Sequence, residues 1–334
     1  LLLAVIREDL VPASSVSHRD MEIQVTLPEG QVTAPIRHRH AFNRLDLAGP
    51  VSLSTPTERK ALSHPCELLA LIRPERLDAD AQARWERFGQ ELANSVANYA
   101  LALAGAARRE DAFRRLAPKA GDTIDWVMQR QAEDATFSPL AFFEQWVVDG
   151  HPLHPGAKIK MGLRPEEVIR YSPEWGATLD LPLVAVRRSA CRVTALIPER
   201  PLELLLREYP EVADPLQRAL APWGLTHDDV DLIPLHPWQH AKTLPLMHAE
   251  ALRSGTVIPL EGVGIPAKPL MSFRSFAPVQ PRGSKRHHLK TAVNVQTTGA
   301  VRTVSPQSTQ NGPEFSRILR LIAEREQGFE GRLR

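Results

Sequence analysis

Apolar side chains recur at steps of three or four from Asp78 to about Ala117, which is the clearest helical pattern in the chain. The large members of this pattern are Trp85, Phe88, Leu92, Val96, Tyr99 and Leu103. Such spacing places side chains on one face of a helix, because the helix repeats every 3.6 residues. The pattern therefore predicts a long helix that packs through one apolar stripe.

A second, shorter helix is predicted at residues 138–148, where local signals mark both ends. Ser138 is a suitable N-cap, and Pro139 is favoured at the first helical position. Gly150 is a good stop signal after Asp149. The chain then enters the loop GHPLHPGAKIKMG at 150–162, in which each histidine is followed by a proline. A proline restrains the residue before it, so His151 and His154 are expected in extended or turn geometry.

After residue 180 the pattern changes to short β-rich runs that proline and glycine separate. These runs are LPLVAVRRSACRVTALIP (181–198), VIPLEGVGIPAKPLMSFRSF (257–276) and HLKTAVNVQTTGAVRTVSP (288–306). We therefore expect an α/β (α+β) protein with a helical part at 1–132 and a mixed α/β part at 133–334.

Alternation within two of these runs predicts polar working faces. If Leu289–Thr298 is a strand, Val293 and Val295 lie on its core face and Lys290 lies on the opposite face. Ser272 and Arg274 likewise share one side of a strand in MSFRSF. Lysine, arginine and hydroxyl groups that project together suit a polyphosphate or polycarboxylate.

Composition limits the function classes. The 334 residues favour two domains, and 41 Lys+Arg against 39 Asp+Glu give a net charge of +2, so nothing indicates nucleic acid or an acidic membrane as a partner. Cys66 and Cys191 lie far apart, which fits a reducing cytoplasm. The sequence shows no signal peptide or membrane span. It also lacks an initiator Met, so we expect it to begin inside a longer protein.

Charge is distributed unevenly despite this balance. Residues 262–313 contain no Asp or Glu, yet they include seven cations: Lys268, Arg274, Arg282, Lys285, Arg286, Lys290 and Arg302. Residues 278–288 of this stretch are expected to form a mobile basic loop. A solvated basic face is the common explanation for such a run. The alternation described above instead favours an anion site.

The loop at 150–162 has the same character, because Lys158, Lys160 and Arg164 follow its two histidines. Zinc binding by a histidine pair, either His151 with His154 or His236 with His240, is the alternative. No cysteine or carboxylate accompanies either pair, so anion binding is favoured and no metal ligand is assigned.

Familiar nucleotide and hydrolase motifs are absent. The chain has no G-x-x-x-x-G-K-[ST], G-x-S-x-G or H-E-x-x-H sequence. GVGIPA at 262–267 matches a dinucleotide fingerprint in letters only, because Pro266 and Pro269 prevent the helix that should hold the pyrophosphate.

Five motifs, in order, resemble those of the NRPS-independent siderophore synthetases, the aerobactin synthetase-like family. They are GHPLHPGAKIKMG, YSPEWG (171–176), HPWQ (236–239), SFRS (272–275) and LKTAVNVQTTGAVRTVSP (289–306). The sequence ELANSVANYALAL at 91–103 also resembles this family's long helix. The resemblance implies a cupped-hand fold, with a helical thumb at 1–132, fingers at 133–334 and a palm beyond Arg334.

The resemblance also implies an ATP-dependent ligase. Such enzymes adenylate a carboxylate, usually of citrate, release pyrophosphate, and let an amine or hydroxyl attack to give an amide or ester. The implied ATP contacts are Ser272, Arg274 and Ser275, with Lys290 on the phosphates and Arg302 shared between phosphate and citrate. His154 or His151 and Lys158 are implied in the same pocket. The family also implies a protein that is often a homodimer.

The chain departs from the family pattern at three points. Ser275 stands where threonine is usual, which keeps the hydroxyl, and Lys160 stands where arginine is usual, which loses the bidentate fork. The acidic ligands for Mg²⁺ should lie in the palm, outside this chain. A non-catalytic anion- or nucleotide-binding fragment is therefore the alternative to a synthetase, and AVRTVSP at 300–306 favours free citrate as the substrate.

Overall fold

A computed structural model describes residues 1–41, 44–116, 123–134, 136–151, 153–193, 199–279, 287–303, 305–326 and 328. Arg282, Lys285 and Arg286 of the predicted basic loop lie outside these residues, as do Pro152 and residues 194–198 of the first β-rich run. No helix in the described ranges is long and apolar enough to cross a membrane.

The described residues mix helices and strands, as expected for the predicted class. The α-helices are α1 (Leu2–Arg7), α2 (Pro65–Leu71), α3 (Ala79–Leu116), α4 (Thr123–Glu133), α5 (Pro139–Glu144), α6 (Pro165–Tyr171), α7 (Pro201–Glu208), α8 (Ala213–Leu220), α9 (Leu244–Met247), α10 (Ala249–Arg253) and α11 (Pro306–Arg325). The strands are β1 (Val16–Arg19), β2 (Glu22–Leu27), β3 (Gly30–Arg39), β4 (Leu45–Leu47), β5 (Ser52–Ser54), β6 (Arg59–Ala61), β7 (Leu179–Arg187), β8 (Val230–Pro234), β9 (Val257–Pro269), β10 (Ser275–Pro278), β11 (Leu289–Lys290), β12 (Gln296–Thr297) and β13 (Ala300–Val301).

The chain folds into two compact units. Each is built from three segments, so no single boundary near residue 132 separates them. One unit contains Leu1–Leu101, Asp149–Pro165 and Gln296–Ala300. The other contains Ala102–Val148, Glu166–Val295 and Val301–Arg334. The loop at 150–162 therefore belongs to the first unit, whereas the SFRS motif belongs to the second.

The first unit contains an antiparallel sheet in the order β1-β2-β3-β5-β6, with β4 paired to β3. Ile23 lies opposite Ala34, and Val25 lies opposite Val32, so one face of β2 and β3 is fully apolar and buried. Leu2 of α1 and Leu68 of α2 belong to the same core. The expectation of a helical N-terminal part is thus wrong for residues 16–61, where the alternation in EIQVTL and QVTAPI is the period-two signal of strands.

Helix α3 forms where the pattern predicts it, but the expected apolar stripe is buried only in its first part, up to Leu92. Val96 and Leu103 are 39% and 48% exposed. The buried side chains from the middle of the helix are Leu92, Ser95, Asn98 and Ala102. The polar ones are buried because they hydrogen-bond to the loop backbone: Ser95 Oγ accepts the Lys158 N–H at 3.0 Å and Asn98 Nδ2 donates to the Lys158 carbonyl at 2.9 Å.

Helix α5 begins as predicted and ends early. The Ser138 Oγ accepts the Ala141 N–H at 3.2 Å, and Pro139 is the first helical residue, which confirms the predicted start. The last helical residue is Glu144 rather than residue 148. The β-branched residues Val147 and Val148 follow this end, and such residues lower helix propensity.

The second unit is built on an antiparallel sheet in the order β11-β10-β9-β7-β8. Leu181, Leu183 and Ala185 of β7 are fully buried in its centre. Two predictions for this region are wrong. Residues 289–298 are not a continuous strand but contain only β11 and β12, with Asn294 at φ +50° between them. Ser272 and Arg274 lie in the turn between β9 and β10, not in a strand.

Two glycines of α3 give a matched test of the packing around this helix. A Cβ at Gly105 would lie 3.0 Å from the Glu174 carbonyl and 3.0 Å from Trp175 Nε1, whereas one at Gly89 would make an ordinary 3.6 Å contact with Leu69 Cδ2. Alanine stabilises a helix by about 1 kcal/mol relative to glycine at both positions. We expect Gly105→Ala to be less stable than Gly89→Ala by about 1 kcal/mol or more in urea unfolding, because the YSPEWG backbone must shift. Equal stabilities would show that residues 174–175 can shift without a measurable cost in the free energy of unfolding.

Candidate functional site

The turn between β9 and β10 carries the SFRS motif. The Leu270 N–H donates to the Ser275 carbonyl at 2.9 Å and closes the turn, and the Arg274 N–H donates to the Ser272 carbonyl across Phe273. Phe273 has φ +49° and its side chain is buried, while Ser272 is exposed and Arg274 is partly exposed. The turn thus buries the Phe273 side chain, while the side chains of the flanking residues Ser272 and Arg274 reach the surface.

Strand pairing brings Lys290 to this turn. In the antiparallel pair β10–β11, Ser275 lies directly opposite Lys290, and the Thr291 N–H donates to the Arg274 carbonyl at 2.9 Å. Residues opposite one another across a sheet share a face, with Cβ atoms about 5 Å apart. The Lys290 ammonium is exposed, and no carboxylate among the described residues lies within ion-pair distance of it.

Two guanidinium groups complete this cluster. Arg274 Nη1 donates to the Thr303 carbonyl at 2.9 Å, and the Arg302 backbone bonds to Val293 and Val295. Burial lowers the pKa of Arg274, and the positive charge of Arg302 lowers it further. The two like charges are therefore close enough to repel, which is the electrostatic condition that an anion relieves.

The structure thus brings five predicted residues together in the second unit. We call them the turn cluster: Ser272, Arg274, Ser275, Lys290 and Arg302. The Oγ atoms of Ser272 and Ser275 lie 2.6 Å apart, so the two hydroxyls already share a hydrogen bond.

Sequence reasoning missed a carboxylate at this turn. Glu144 Oε2, at the end of α5, accepts the Met271 N–H at 3.0 Å. The two residues are 127 positions apart, so no local sequence pattern predicts the contact. Ala141 of α5 packs with Leu270 and Ala277, which brings this helix onto the hairpin. Glu144 thereby holds the residue that precedes Ser272.

His236 of the HPWQ motif is a second group that sequence reasoning did not place at the turn. It is 0% exposed, and its ring lies 5.4 Å from the Phe273 ring, measured between centroids. Burial lowers the pKa of His236 to about 3. Within the described residues, no group of three or more His, Cys, Asp or Glu that includes His236 and His240 is placed to hold a metal.

The histidines of the loop at 150–162 use their side chains to shape the backbone. His151 Nδ1 accepts the Leu153 N–H at 3.3 Å, and His154 Nδ1 accepts the Gly156 N–H at 3.0 Å. Each histidine is followed in the sequence by a proline, whose ring fixes the proline φ. The residue after that proline donates the N–H. The loop is therefore held by two consecutive side-chain bonds to its own backbone.

The same arrangement occurs at the chain's other two His-Pro pairs. His64 Nδ1 accepts the Cys66 N–H at 3.2 Å, and His236 Nδ1 accepts the Trp238 N–H at 3.0 Å. A ring nitrogen that accepts a hydrogen bond carries no proton, so each neutral imidazole carries its proton on Nε2. The His-Pro pair thus sets both the backbone bend and the tautomer.

The loop is anchored within the first unit. Lys158 and Lys160 are buried, and the Lys160 N–H donates to Asn94 Oδ1 of α3 at 2.8 Å. A Cβ at Gly299 would lie 3.6 Å from His154 Nε2, so the β12–β13 connection borders this ring. A pocket of about 370 Å³, largely apolar, adjoins His154 on the side of α1 and Trp85. The involvement of His151, His154 and Lys158 with the same ligands as the turn cluster stays a prediction.

The comparisons with known proteins establish the family. The chain belongs to the IucA / IucC family, whose model matches residues 139–334. The D-ornithine–citrate ligase of Staphylococcus aureus is 27% identical over 329 residues, which cover 98% of this chain and 47% of that protein. This chain thus spans about half the length of the curated relatives it matches. The resemblance that the motifs indicated is confirmed.

Solved structures support the same fold. The petrobactin biosynthesis protein AsbB of Bacillus anthracis aligns with a TM-score of 0.74 at 18% identity, covering 98% of this chain and 51% of that chain. The ATP-bound aerobactin synthetase IucA of Klebsiella pneumoniae aligns with a TM-score of 0.67 at 21% identity, covering 99% and 53%. At these identities the alignments establish the architecture.

The burial of His236 predicts acid sensitivity. Its pKa is about 3 in the folded protein and near 6.5 in the unfolded chain, so between these values only the unfolded chain takes up the proton. The free energy of unfolding should therefore fall as pH drops below about 6.5, by on the order of 2–3 kcal/mol from this group near pH 4.5. Urea unfolding of wild type and His236→Phe, at about pH 6.5 and near pH 4.5, measures this fall in the free energy of unfolding. An identical pH dependence in the two proteins would contradict the assignment.

Proposed function

We propose that the protein acts in siderophore biosynthesis as an ATP-dependent ligase. It adenylates a carboxylate, with citrate as the proposed acid, and condenses it with an amine or hydroxyl to give an amide or ester, AMP and pyrophosphate. Membership of the IucA / IucC family and the similarity to a D-ornithine–citrate ligase support this proposal.

The observation that carries the proposal is the charge of the turn cluster. Arg274 and Arg302 repel one another, Lys290 adds a third positive charge beside Ser275, and no described carboxylate pairs with Arg274 or Lys290. Adenylation brings a triphosphate and a carboxylate together, and both are anions. Cations already held in place stabilise such a pair without further reorganisation.

The proposed chemistry assigns separate roles to these groups. A carboxylate oxygen attacks the α-phosphorus of ATP and pyrophosphate leaves; the amine or hydroxyl then attacks the acyl carbon and AMP leaves. Ser272, Arg274 and Ser275 bind ATP, and Lys290 neutralises the phosphates. Arg302 holds phosphate and citrate carboxylate together, since a guanidinium binds oxyanions through two parallel hydrogen bonds.

Magnesium is the proposed companion of ATP. It prefers oxygen ligands, commonly one or two carboxylates with water and phosphate oxygens. The turn cluster does not fit a bound Mg²⁺ directly, because three of its five members are cations, and Glu144 is engaged by the Met271 N–H. We therefore propose that the protein's magnesium ligands come from outside residues 1–334.

A nucleotide- or anion-binding role without turnover is the second candidate. The cations of the turn cluster would bind an anion whether or not turnover follows. Such a protein would bind ATP without releasing pyrophosphate, so the activity test below separates the two.

The first functional prediction concerns the intermediate. The complete protein, given ATP, Mg²⁺ and citrate, should release pyrophosphate and yield a citryl hydroxamate when hydroxylamine is added, because hydroxylamine traps an acyl-adenylate. Omission of citrate is the control. A lack of hydroxamate and pyrophosphate with citrate and with other di- and tricarboxylates would exclude the synthetase function.

The second functional prediction concerns the turn cluster. Lys290→Ala and Arg302→Ala should each lower kcat/KM by about 100-fold or more, on the order of 3 kcal/mol of transition-state stabilisation. Arg253→Ala is the control, because Arg253 is an exposed residue that pairs with Glu250 on α10. Small and equal effects of all three substitutions would favour a solvated basic face.

A further inference from the structure

An aromatic group packs behind the turn that carries Ser272 and Arg274. The His236 ring lies 5.0 Å from that of Tyr171, edge to face, and 5.5 Å from that of Phe276. It lies 5.4 Å from the Phe273 ring with an interplanar angle of 32°. His236 thus contacts both phenylalanines of the β9–β10 hairpin from a fully buried position.

Phe273 occupies a backbone conformation that needs such support. Its φ of +49° lies in the left-handed region, which a bulky residue rarely adopts. The hydrogen bond from Arg274 N–H to the Ser272 carbonyl makes Phe273 the centre of a three-residue turn. The residue is only 6% exposed, so its burial offsets the strain of the backbone.

The His236 ring is itself oriented from the other side. Its Nδ1 accepts the Trp238 N–H at 3.0 Å, and Nε2 finds no hydrogen-bond partner among the described residues. Burial keeps the imidazole uncharged at neutral pH, so the ring packs as an aromatic group. One nitrogen therefore sets the plane of the ring, and the faces and edges of the ring meet the aromatic neighbours.

We infer that His236 is a positioning residue. Its ring, oriented by the bond to Trp238, holds Phe273 in the left-handed conformation and thereby directs Ser272 and Arg274 towards the nucleotide. The role in ATP binding rests on the proposed function, whereas the support of the turn does not.

A purely local role is the competing explanation. His236 caps the helical segment that starts at Pro237, as His64 caps α2. If capping were its whole role, any side chain that accepts the Trp238 N–H would replace it. Asparagine retains such an acceptor and removes the ring, whereas phenylalanine retains a ring and removes the acceptor.

The test compares these two substitutions in the complete protein. His236→Asn should raise the KM for ATP by about tenfold or more while the KM for citrate changes little, because the turn loses its support. His236→Phe should restore the KM for ATP to within about threefold of wild type. His64→Asn, the matched change at α2, should leave both constants unchanged. The reverse order, with His236→Asn normal and His236→Phe impaired, would overturn the inference in favour of capping.

A second variant covers failure of His236→Asn to fold. Phe273→Leu removes the other ring of the pair and should raise the KM for ATP to the same extent. If both variants fold, their combination should be no worse than either alone, because residues that act through one contact are not additive. Additive effects would overturn the inference.

Amide hydrogen exchange of residues 270–276 tests the turn without any activity. Exchange should be about tenfold faster in His236→Asn than in wild type and unchanged in His64→Asn. Unchanged exchange in His236→Asn would overturn the positioning role whatever the activity. Faster exchange with an unchanged KM for ATP would instead overturn the assignment of this turn to ATP, and a wild type without citrate-dependent turnover would overturn the proposed function alone.

Discussion

Repulsion between like charges is the constraint under which the turn cluster is built. Burial lowers the pKa of Arg274, the positive charge of Arg302 lowers it further, and Lys290 stands beside Ser275. These cations are held by backbone geometry: the Arg274 guanidinium donates to the Thr303 carbonyl, and strand pairing sets Lys290. Because folding has already brought the charges together, an incoming anion is stabilised without having to assemble its own site.

Holding the charges in this way depends on neighbouring residues outside the turn cluster. The turn is fastened by Glu144 at the Met271 N–H and by the buried ring of Phe273. Neither contact is with a ligand, yet each limits how far Ser272 and Arg274 can move. The position of the polar side chains therefore depends on residues that do not themselves contact a ligand.

Local chemistry predicted part of this structure well. The extent of α3, the Ser138 cap of α5 and the acid-free cationic stretch follow from spacing, capping and charge, all of which are properties of neighbouring residues. The contacts of Glu144 and His236 were not predicted, because they join segments far apart along the chain. The buried face of α3 was mistaken for the same reason: Ser95 and Asn98 are buried since the loop at 158–160 offers them backbone partners.

The four His-Pro pairs have a consequence for metal chemistry. A metal ion binds only an unprotonated imidazole nitrogen, and in each pair Nδ1 already accepts a backbone N–H, which leaves the proton of a neutral ring on Nε2. Binding iron at one of these histidines would require the loss of a hydrogen bond that shapes the chain. The protein is proposed to assemble iron chelators, and these hydrogen bonds disfavour the binding of iron by its own histidines.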